Sequence, residues 1–336
     1  MPYVSVVGER KFIMELVKSI LILVVGFVLL VKGADFFVDG ASAIAKKLHI
    51  PSLIIGLAIV AMGTSLPELS VSVTAALANQ NSLAISNVIG SNIFNLMVVL
   101  GICAVIAPIG VSNIVIKRDY PFSVFCAILM AVLGSFGLTI NRIDGIVLLV
   151  FFAGYLGVMF YDAKKVRKSA AEMEYEDEID EATEDTEDIP LWKGILFVVG
   201  GAAAVKYGGD FTVDGAVSIA TMLGVTETLI GLTIVATGTS LPELVTSLVA
   251  ARKKELDMAV GNVVGSNVFN ILTILGIGSV ITPIAFNMQN FVDICVLAVF
   301  SLFVWIFCAT RKRIGRFEGA FMLICYAVYL IYICIR

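Results

Sequence analysis

The sequence predicts an all-α polytopic membrane protein with ten transmembrane helices, arranged as two inverted five-helix repeats. Three observations predict this class. The 336-residue chain is 59% apolar and only 15% charged, with a mean hydropathy of +0.99, whereas soluble domains are roughly half apolar and a quarter charged. The apolar residues fall into ten runs long enough to cross a bilayer. The two halves of the chain also repeat one another.

Each apolar run predicts one crossing, since a transmembrane helix needs about 20 residues. The first and sixth runs are longer, so these helices are expected to tilt or to extend beyond the bilayer. No small-residue cleavage pattern follows the first run, which is therefore expected to be a retained span. In order, the runs cover residues 14–46, 51–79, 83–109, 120–140, 143–163, 192–223, 226–251, 257–284, 289–310 and 315–335.

The lysine and arginine residues between the runs predict the orientation of the chain. With the N-terminus outside, 16 of them lie on one side of the membrane and five on the other. The positive-inside rule makes the richer side cytoplasmic. Both termini are therefore expected to be external, in the cell (plasma) membrane.

One polar segment divides the chain. Residues 164–190 contain 11 of the 27 acidic residues. We therefore expect a first transmembrane repeat over 14–163, an acidic cytoplasmic linker over 164–190 and a second repeat over 191–336. The linker is interpreted either as a solvated tether or as a weak regulatory cation-binding loop, although it lacks the spacing and the central glycine of an EF-hand.

The repeat has one fixed offset of 175 residues. GADFFVDGA at 33–41 matches GGDFTVDGA at 208–216, AMGTSLPEL at 61–69 matches ATGTSLPEL at 236–244, and SNVIGSNIFNL at 86–96 matches GNVVGSNVFNI at 261–271. Because five spans are an odd number, the second copy is expected to be upside down. Inverted repeats are typical of secondary transporters, whose binding sites lie near the bilayer midplane.

Each GTSLPE segment is expected to break its helix. Pro67 has no N–H, and its ring clashes with the carbonyl of Gly63 four residues earlier; Pro242 does the same to Gly238. Carbonyls over 61–65 and 236–240 should then lack helical partners. In a membrane, such carbonyls persist only when they are buried in protein or line a wet cavity.

A glutamate, Glu68 or Glu243, follows each proline directly. A carboxylate near the bilayer centre is costly and marks a functional site by default. If hydroxyl and amide side chains of the two motifs converge on these carboxylates, the ligands contain no sulfur and no imidazole. Oxygen ligation suits hard cations such as Ca²⁺, Na⁺, Mg²⁺ or Mn²⁺. Two carboxylates balance one divalent ion or two monovalent ions, so alternating exposure of the site would exchange them.

Other duplicated polar residues are interpreted as structural. The aspartate pairs near the ends of the long helices are assigned structural or gating roles, with nearby lysines snorkelling or pairing with them, and the serines four residues beyond the glutamates are assigned to packing. These residues are Asp35, Asp39, Asp210 and Asp214, then Lys32 and Lys206, then Ser72 and Ser247.

The two copies of GTSLPE, each followed by G-S-N-x-F-N, resemble the alpha repeats of the calcium/cation antiporter superfamily, and in particular its prokaryotic sodium/calcium exchanger branch. The resemblance covers nearly the whole chain. It implies Na⁺/Ca²⁺ exchange by alternating access, with Ca²⁺ extrusion driven by the Na⁺ gradient and the first and sixth helices sliding together against the other eight. It also implies a central cluster of cation ligands: Glu68, Glu243, Thr64, Ser65, Ser91, Asn95, Thr239, Ser240, Ser266 and Asn270, with the backbone carbonyls of Ala61 and Ala236.

Two departures separate the chain from related branches. Proton/calcium exchangers of the superfamily typically carry GNxxE in the later motif, where this chain has Gly90 and Gly265. Potassium-dependent and some prokaryotic exchangers have an aspartate at one of the positions of Asn95 and Asn270. Both departures argue against these two branches, so a Ca²⁺/H⁺ or K⁺-dependent antiporter of the same fold is kept only as the alternative to Na⁺/Ca²⁺ exchange.

Other classes of protein fit less well. The single histidine, His49, argues against a histidine metal cage or a Ser-His-Asp triad, and no cofactor or nucleic-acid partner is expected. YGGD at 207–210 is not the GxGD of an intramembrane aspartyl protease, and broken helices that close on a charged site favour occlusion over a passive channel. The expected partners are Ca²⁺, Na⁺ and the lipid bilayer, and a monomer is expected to suffice for transport.

Overall fold

The computed structural model describes residues 3–78, 81–174, 189–225 and 236–335, which are almost entirely helical. The helices are α1 (Tyr3–Leu48), α2 (Ser52–Ile55), α3 (Ala61–Thr64), α4 (Leu66–Leu77), α5 (Asn81–Phe94), α6 (Leu100–Ile106), α7 (Tyr120–Ser135), α8 (Arg142–Glu174), α9 (Leu191–Met222), α10 (Ala236–Gly238), α11 (Leu241–Arg252), α12 (Leu256–Phe269), α13 (Leu275–Ile281), α14 (Met288–Arg311) and α15 (Arg316–Ile335). Segments of π-helix cover Gly56–Val60, Asn95–Val99, Val115–Asp119 and Asn270–Ile274. The short strands are β1 (Ile109–Gly110), β2 (Thr139–Ile140), β3 (Ile284–Ala285) and β4 (Arg313–Ile314).

Several of these helices can cross a membrane. Among the described residues, six helices are long and apolar enough, and the bent pair Ser52–Thr64 and Leu66–Leu77 would make a seventh. Their outward faces carry exposed aliphatic and aromatic side chains, as expected for surfaces in contact with lipid. The all-α membrane class is therefore confirmed, while the count of ten spans stays a prediction.

The helix boundaries follow the apolar runs closely. α1 starts at Tyr3 and so extends ahead of the run at 14–46. α8 continues to Glu174, so the first part of the predicted linker is helical. The acidic residues 175–188 and the first part of the seventh run, 226–235, lie outside the described residues, so the two interpretations of the acidic segment stay open.

The two long helices α1 and α9 pack antiparallel with their backbones in contact. Gly26 lies beside Phe211, and Gly40 lies beside Gly194 at the other end of the contact. A Cβ atom added to Gly201 would lie 2.6 Å from the backbone nitrogen of Phe37. Glycine is needed here because small residues allow membrane helices to approach this closely.

The four short strands form two pairs. β1 pairs with β4 and β2 with β3, both antiparallel. α7 runs from β1 to β2 and α14 from β3 to β4, so the two strand pairs lie at opposite ends of these helices. The offset of 175 residues relates Ile109 of β1 to Ile284 of β3. Equivalent strands thus lie at opposite ends of α7 and α14.

Candidate cation site

Both GTSLPE segments break the helix, as predicted. α3 ends at Thr64, Ser65 leaves helical geometry with φ −83° and ψ 10°, and α4 resumes at Leu66. The axis bends by 47° at this point. In the second half Ser240 has φ −92° and ψ 6°, directly before α11. The breaks place Glu68 and Glu243 in the first turns of α4 and α11, where unpaired backbone N–H groups and the helix dipole favour negative charge.

The carbonyls of Ser65 and Ser240 do not lack helical partners, contrary to the expectation, because they accept from the backbone N–H groups of Leu69 and Leu244 at 3.1 and 3.2 Å. The carbonyl of Ala61 departs from the expectation too. It accepts a hydrogen bond from the backbone N–H of Ser65 at 3.1 Å. This is an ordinary helical bond, and Pro67 leaves it in place because the missing proline N–H would have bound the Gly63 carbonyl. The hydroxyls of Thr64 and Ser266 also donate to the Ala61 carbonyl, at 3.3 and 3.4 Å. A cation that binds this carbonyl would have to displace one of these hydroxyl contacts.

The two carboxylates are fully buried and are bound crosswise by the two halves of the chain. Glu68 and Glu243 each have 0% exposure. The hydroxyl of Ser65 donates to Glu243 Oε1 at 2.8 Å, and that of Ser240 donates to Glu68 Oε1 at 3.1 Å. Ser91 also donates to Glu68 Oε1, at 3.4 Å. The convergence of the two motifs on one site is therefore observed.

Several buried oxygen atoms at this site have no hydrogen-bond partner among the described residues. A buried polar atom without a partner costs about 1–3 kcal/mol, so a group of them needs an explanation. A hard cation, which takes six to eight oxygen ligands when it is Ca²⁺, provides one. The unpaired oxygens are Oε2 of Glu68 and of Glu243, Oδ1 of Asn95 and of Asn270, and Oγ1 of Thr239.

Two of these amides start π-helical segments. Asn95 and Asn270 begin the segments Asn95–Val99 and Asn270–Ile274, which correspond at the offset of 175 residues. π-helical turns inside α-helices are frequent at functional sites. Asn270 Nδ2 donates to Asn92 Oδ1 at 3.0 Å, which leaves its Oδ1 unpaired. Both amide atoms of Asn95 are unpaired among the described residues.

Asn87 and Asn262 bind the backbones of the two helices that carry the glutamates. Neither asparagine was predicted from the sequence to belong to the site. Asn262 Nδ2 donates to Ser247 Oγ at 2.9 Å and to the Glu243 carbonyl at 3.4 Å. Asn87 Nδ2 makes the equivalent bonds to Ser72 Oγ, at 3.2 Å, and to the Glu68 carbonyl, at 3.5 Å. Ser72 and Ser247 thus accept bonds from these asparagines, and the packing role assigned to the two serines stays a prediction. The available signal was that these asparagines also repeat at the offset of 175.

Asn92 and Asn267 connect the two halves of the chain and were also missed. Asn92 Nδ2 donates to the Asn267 carbonyl at 3.1 Å, and Asn267 Nδ2 donates to the Asn92 carbonyl at 3.3 Å. Thr64 forms a further link between the halves, because its single hydroxyl proton lies between Asn262 Oδ1, at 3.1 Å, and the Ala61 carbonyl. These reciprocal bonds fix the register of one half against the other, and with it the crosswise contacts of the carboxylates.

When both glutamates are ionised, the site carries two negative charges with no basic partner in the described part of the chain. The ion pairs found there all lie elsewhere. Buried charge is costly unless it is paired. Cations with a total charge of +2 would balance both glutamates.

A polar cleft of about 350 Å³ lies beside the middle of α9. It extends from Lys206, Asp210 and Asp214 to both helix-breaking prolines and Thr239. Lys206 pairs with Asp210 at 2.8 Å, so the predicted pairing of a lysine with these acids is confirmed. Among the candidate ligands, Thr239 lines this cleft.

Ion pairs connect the C-terminal part of α1 to the turn between α11 and α12. Lys253, in the turn between α11 and α12, pairs with Asp39 at 2.7 Å and with Asp35 at 3.5 Å. Asp35 also pairs with Lys32 at 3.7 Å, and the hydroxyl of Ser42 donates to Glu255 at 3.0 Å. The aspartates of α1 are thus engaged in structural contacts, and this end of α1 is tied to the turn.

This chain is similar in sequence and in structure to known proteins. The family model described as "Sodium/calcium exchanger protein" matches residues 18–161 and 193–335. The putative antiporter CaxA of Alkalimonas amylolytica is 39% identical over 94% of this chain and 98% of its own. The sodium/calcium exchanger MaX1 of Methanosarcina acetivorans is 33% identical over 93% and 97%. A solved structure of the sodium-calcium exchanger NCX_Mj superposes with a TM-score of 0.80 at 32% identity, covering 93% of this chain and 97% of that one.

Proposed function

This chain belongs to the sodium/calcium exchanger protein family, and from that premise we propose that it is a secondary active antiporter, not an enzyme. It exchanges Na⁺ for Ca²⁺ across the membrane by alternating access, and the Na⁺ gradient drives Ca²⁺ extrusion. One observation carries the proposal: two fully buried carboxylates each accept a hydroxyl from the opposite half of the chain and each keep one oxygen unpaired.

The ion ligands are proposed to be the twelve groups predicted from the motifs. The unpaired oxygens of Glu68, Glu243, Asn95, Asn270 and Thr239 support the direct contacts. The hydroxyls that already bind a carboxylate or the Ala61 carbonyl can reorient, because a hydroxyl group is both donor and acceptor. They complete the shell with two backbone carbonyls: Thr64, Ser65, Ser91, Ser240 and Ser266, with Ala61 and Ala236.

Charge balance makes the two substrates alternatives at one site. One Ca²⁺ or two Na⁺ ions neutralise Glu68 and Glu243 equally, whereas both loads together would leave excess positive charge inside the bilayer, which is costly. Binding of one substrate therefore requires release of the other. That exclusion, combined with access from one side at a time, produces exchange instead of leak.

The membrane arrangement is proposed to be ten spans in two inverted repeats, with both termini external. The strands β1 and β3 correspond at the offset of 175 residues but lie at opposite ends of α7 and α14, which supports the inversion. α1 and α9 then slide as one body past the others, which their backbone contact supports. A single copy of the chain contributes all the proposed ligands, which supports transport by a monomer.

The test is Ca²⁺ flux into proteoliposomes with Na⁺, K⁺ and H⁺ gradients imposed separately. We expect flux to follow the Na⁺ gradient. Flux that follows only the pH gradient, or that requires K⁺, would favour the alternative antiporters.

The site assignment is tested by Glu68→Gln and Glu243→Gln, which preserve shape and remove charge. Each variant should lose Ca²⁺ flux. The matched control is Glu318→Gln, a buried carboxylate that pairs with Arg311 away from the site, and it should retain flux. Undiminished flux in both site variants would contradict the assignment.

A further inference from the structure

A second, very different cavity lies between α7 and α8. It is an open groove of about 640 Å³, walled by side chains that include Phe122, Val150, Phe151 and Val158. Val150 and Val158 are 64% and 47% exposed. Since both helices lie at the outside of the described bundle at this point, the groove faces lipid. It is separate from the candidate cation site and shares no residue with it.

The groove has a fixed shape. Its aromatic wall is braced by stacking, with the rings of Phe122 and Tyr155 4.7 Å apart and inclined by 10°. Phe125 and Phe151 pack at 5.4 Å beside them. Its floor is Gly154, where an added Cβ would meet no described atom within 4 Å. A glycine with open space above it leaves a depression that a slender apolar chain can fill.

One end of the groove is cationic. Lys117 lines it, is exposed, and forms no ion pair among the described residues. Arg118 beside it is held in place, with Nε donating to Asp119 Oδ1 at 2.7 Å and Nη1 pairing with Asp162. Lys164 and Lys165 lie exposed just past Asp162. These four basic and two acidic side chains leave a net charge of +2 at the end of an apolar groove.

We propose that this groove binds an anionic phospholipid, with the headgroup phosphate at Lys117 and an acyl chain over Gly154. Basic pockets between transmembrane helices recognise anionic headgroups in this way. The charge also argues against a second copy of the chain as the occupant, because two copies would bring like charges together. The positive-inside rule puts this basic end at the cytoplasmic face.

Native mass spectrometry of the purified full chain tests the proposal. The protein is equilibrated with phosphatidylglycerol or with phosphatidylcholine of identical acyl chains, and the retained lipid is counted. We expect wild-type protein to retain phosphatidylglycerol preferentially. Lys117→Gln should reduce that preference about fivefold, the effect of one basic residue beside an anionic membrane surface. Lys46→Gln, which removes an exposed lysine away from the groove, should leave it unchanged.

A second pair of variants tests the acyl-chain position. Gly154→Leu fills the groove floor without displacing protein atoms and should abolish retention of the lipid. Gly157→Leu is the control, because Gly157 is equally open on the same helix but does not line the groove. Thermal unfolding of both variants checks that they fold alike. Equal retention of the two lipids by wild-type protein, or normal phosphatidylglycerol retention by Gly154→Leu, would overturn the proposal.

Discussion

Replacing Gly201 by alanine should force α1 and α9 apart, whereas the same change at Gly200 should not. A Cβ atom at Gly201 would lie 2.6 Å from the Phe37 nitrogen and 2.8 Å from the Gly33 carbonyl oxygen. Comfortable contact needs about 3.5–4.0 Å, so the helices would have to separate by roughly 1 Å. Backbone atoms cannot rotate away, so the conflict cannot be relieved by a change of rotamer.

The expected cost follows from the comparison of neighbours. Overpacking of this kind costs about 1–3 kcal/mol. Both variants gain the same helix propensity, about 0.5–1 kcal/mol over glycine, so the difference between them isolates the steric clash. At Gly200 an added Cβ meets no described atom within 4 Å, and this residue is exposed on the outer face of α9.

Thermal unfolding of the two variants in the same lipid nanodiscs measures this difference. Gly201→Ala should unfold several degrees below Gly200→Ala, since 1 kcal/mol shifts Tm by roughly 2–4 °C even in chains of 150–250 residues. Gly200→Ala should match or exceed the wild type. If the two variants unfold together, α1 and α9 do not pack backbone to backbone, and the support for their movement as one body is lost.

Three further predictions concern the contacts around the site. Lys253→Gln removes the ion pairs to Asp35 and Asp39. Exposed pairs contribute only about 0–1 kcal/mol, so Tm should stay unchanged while amide hydrogen exchange over residues 39–48 becomes faster. Exchange as slow as in the neighbouring control variant Lys254→Gln would contradict the bridge. Asn267→Ala leaves the buried Asn92 carbonyl without its side-chain donor and should lower the free energy of unfolding by about 1–3 kcal/mol, against no change for the exposed Asn113→Ala. Gly63→Ala places a Cβ 2.7 Å from Phe37 Cζ on α1, so maximal flux should fall while the apparent Ca²⁺ affinity changes little; an equal effect on both would argue against a sliding contact there.

The helix breaks could be predicted from sequence because their cause is local. Proline removes its own N–H, and this determines the end of α3 and the start of α4 without reference to the rest of the chain. Glu68 and Glu243 could be identified for a related reason, since the duplication marks both and an intramembrane carboxylate is rarely structural. The same duplication contained Asn87, Asn92, Asn262 and Asn267, but their roles depend on which side chains meet across the two halves.

The contacts that could not be predicted all join distant parts of the chain. The Asn92–Asn267 bonds span 175 residues and the Lys253–Asp39 pair spans 214, so neither follows from any local pattern. The Ala61 carbonyl was misjudged for the opposite reason. The N–H of Ser65 makes the ordinary helical bond to it, because Pro67 removes only the donor that would bind the Gly63 carbonyl.

The asparagines behind the glutamate helices make equivalent bonds in the two halves, whereas the lysines at the ends of the molecule have no such equivalence, and this difference bears on transport. Every hydrogen bond to the carboxylate helices from Asn87 has its counterpart from Asn262. Lys253, however, corresponds to Ala78, and Lys206 corresponds to Val31. Among the described residues, which do not include 79 and 80, the bridge that ties α1 to the α11–α12 turn therefore has no equivalent at the other end. Two symmetry-related conformations of a symmetric site would be equal in free energy; an exchanger with unequal ends favours one of them, so the two faces can differ in the rate at which they admit ions.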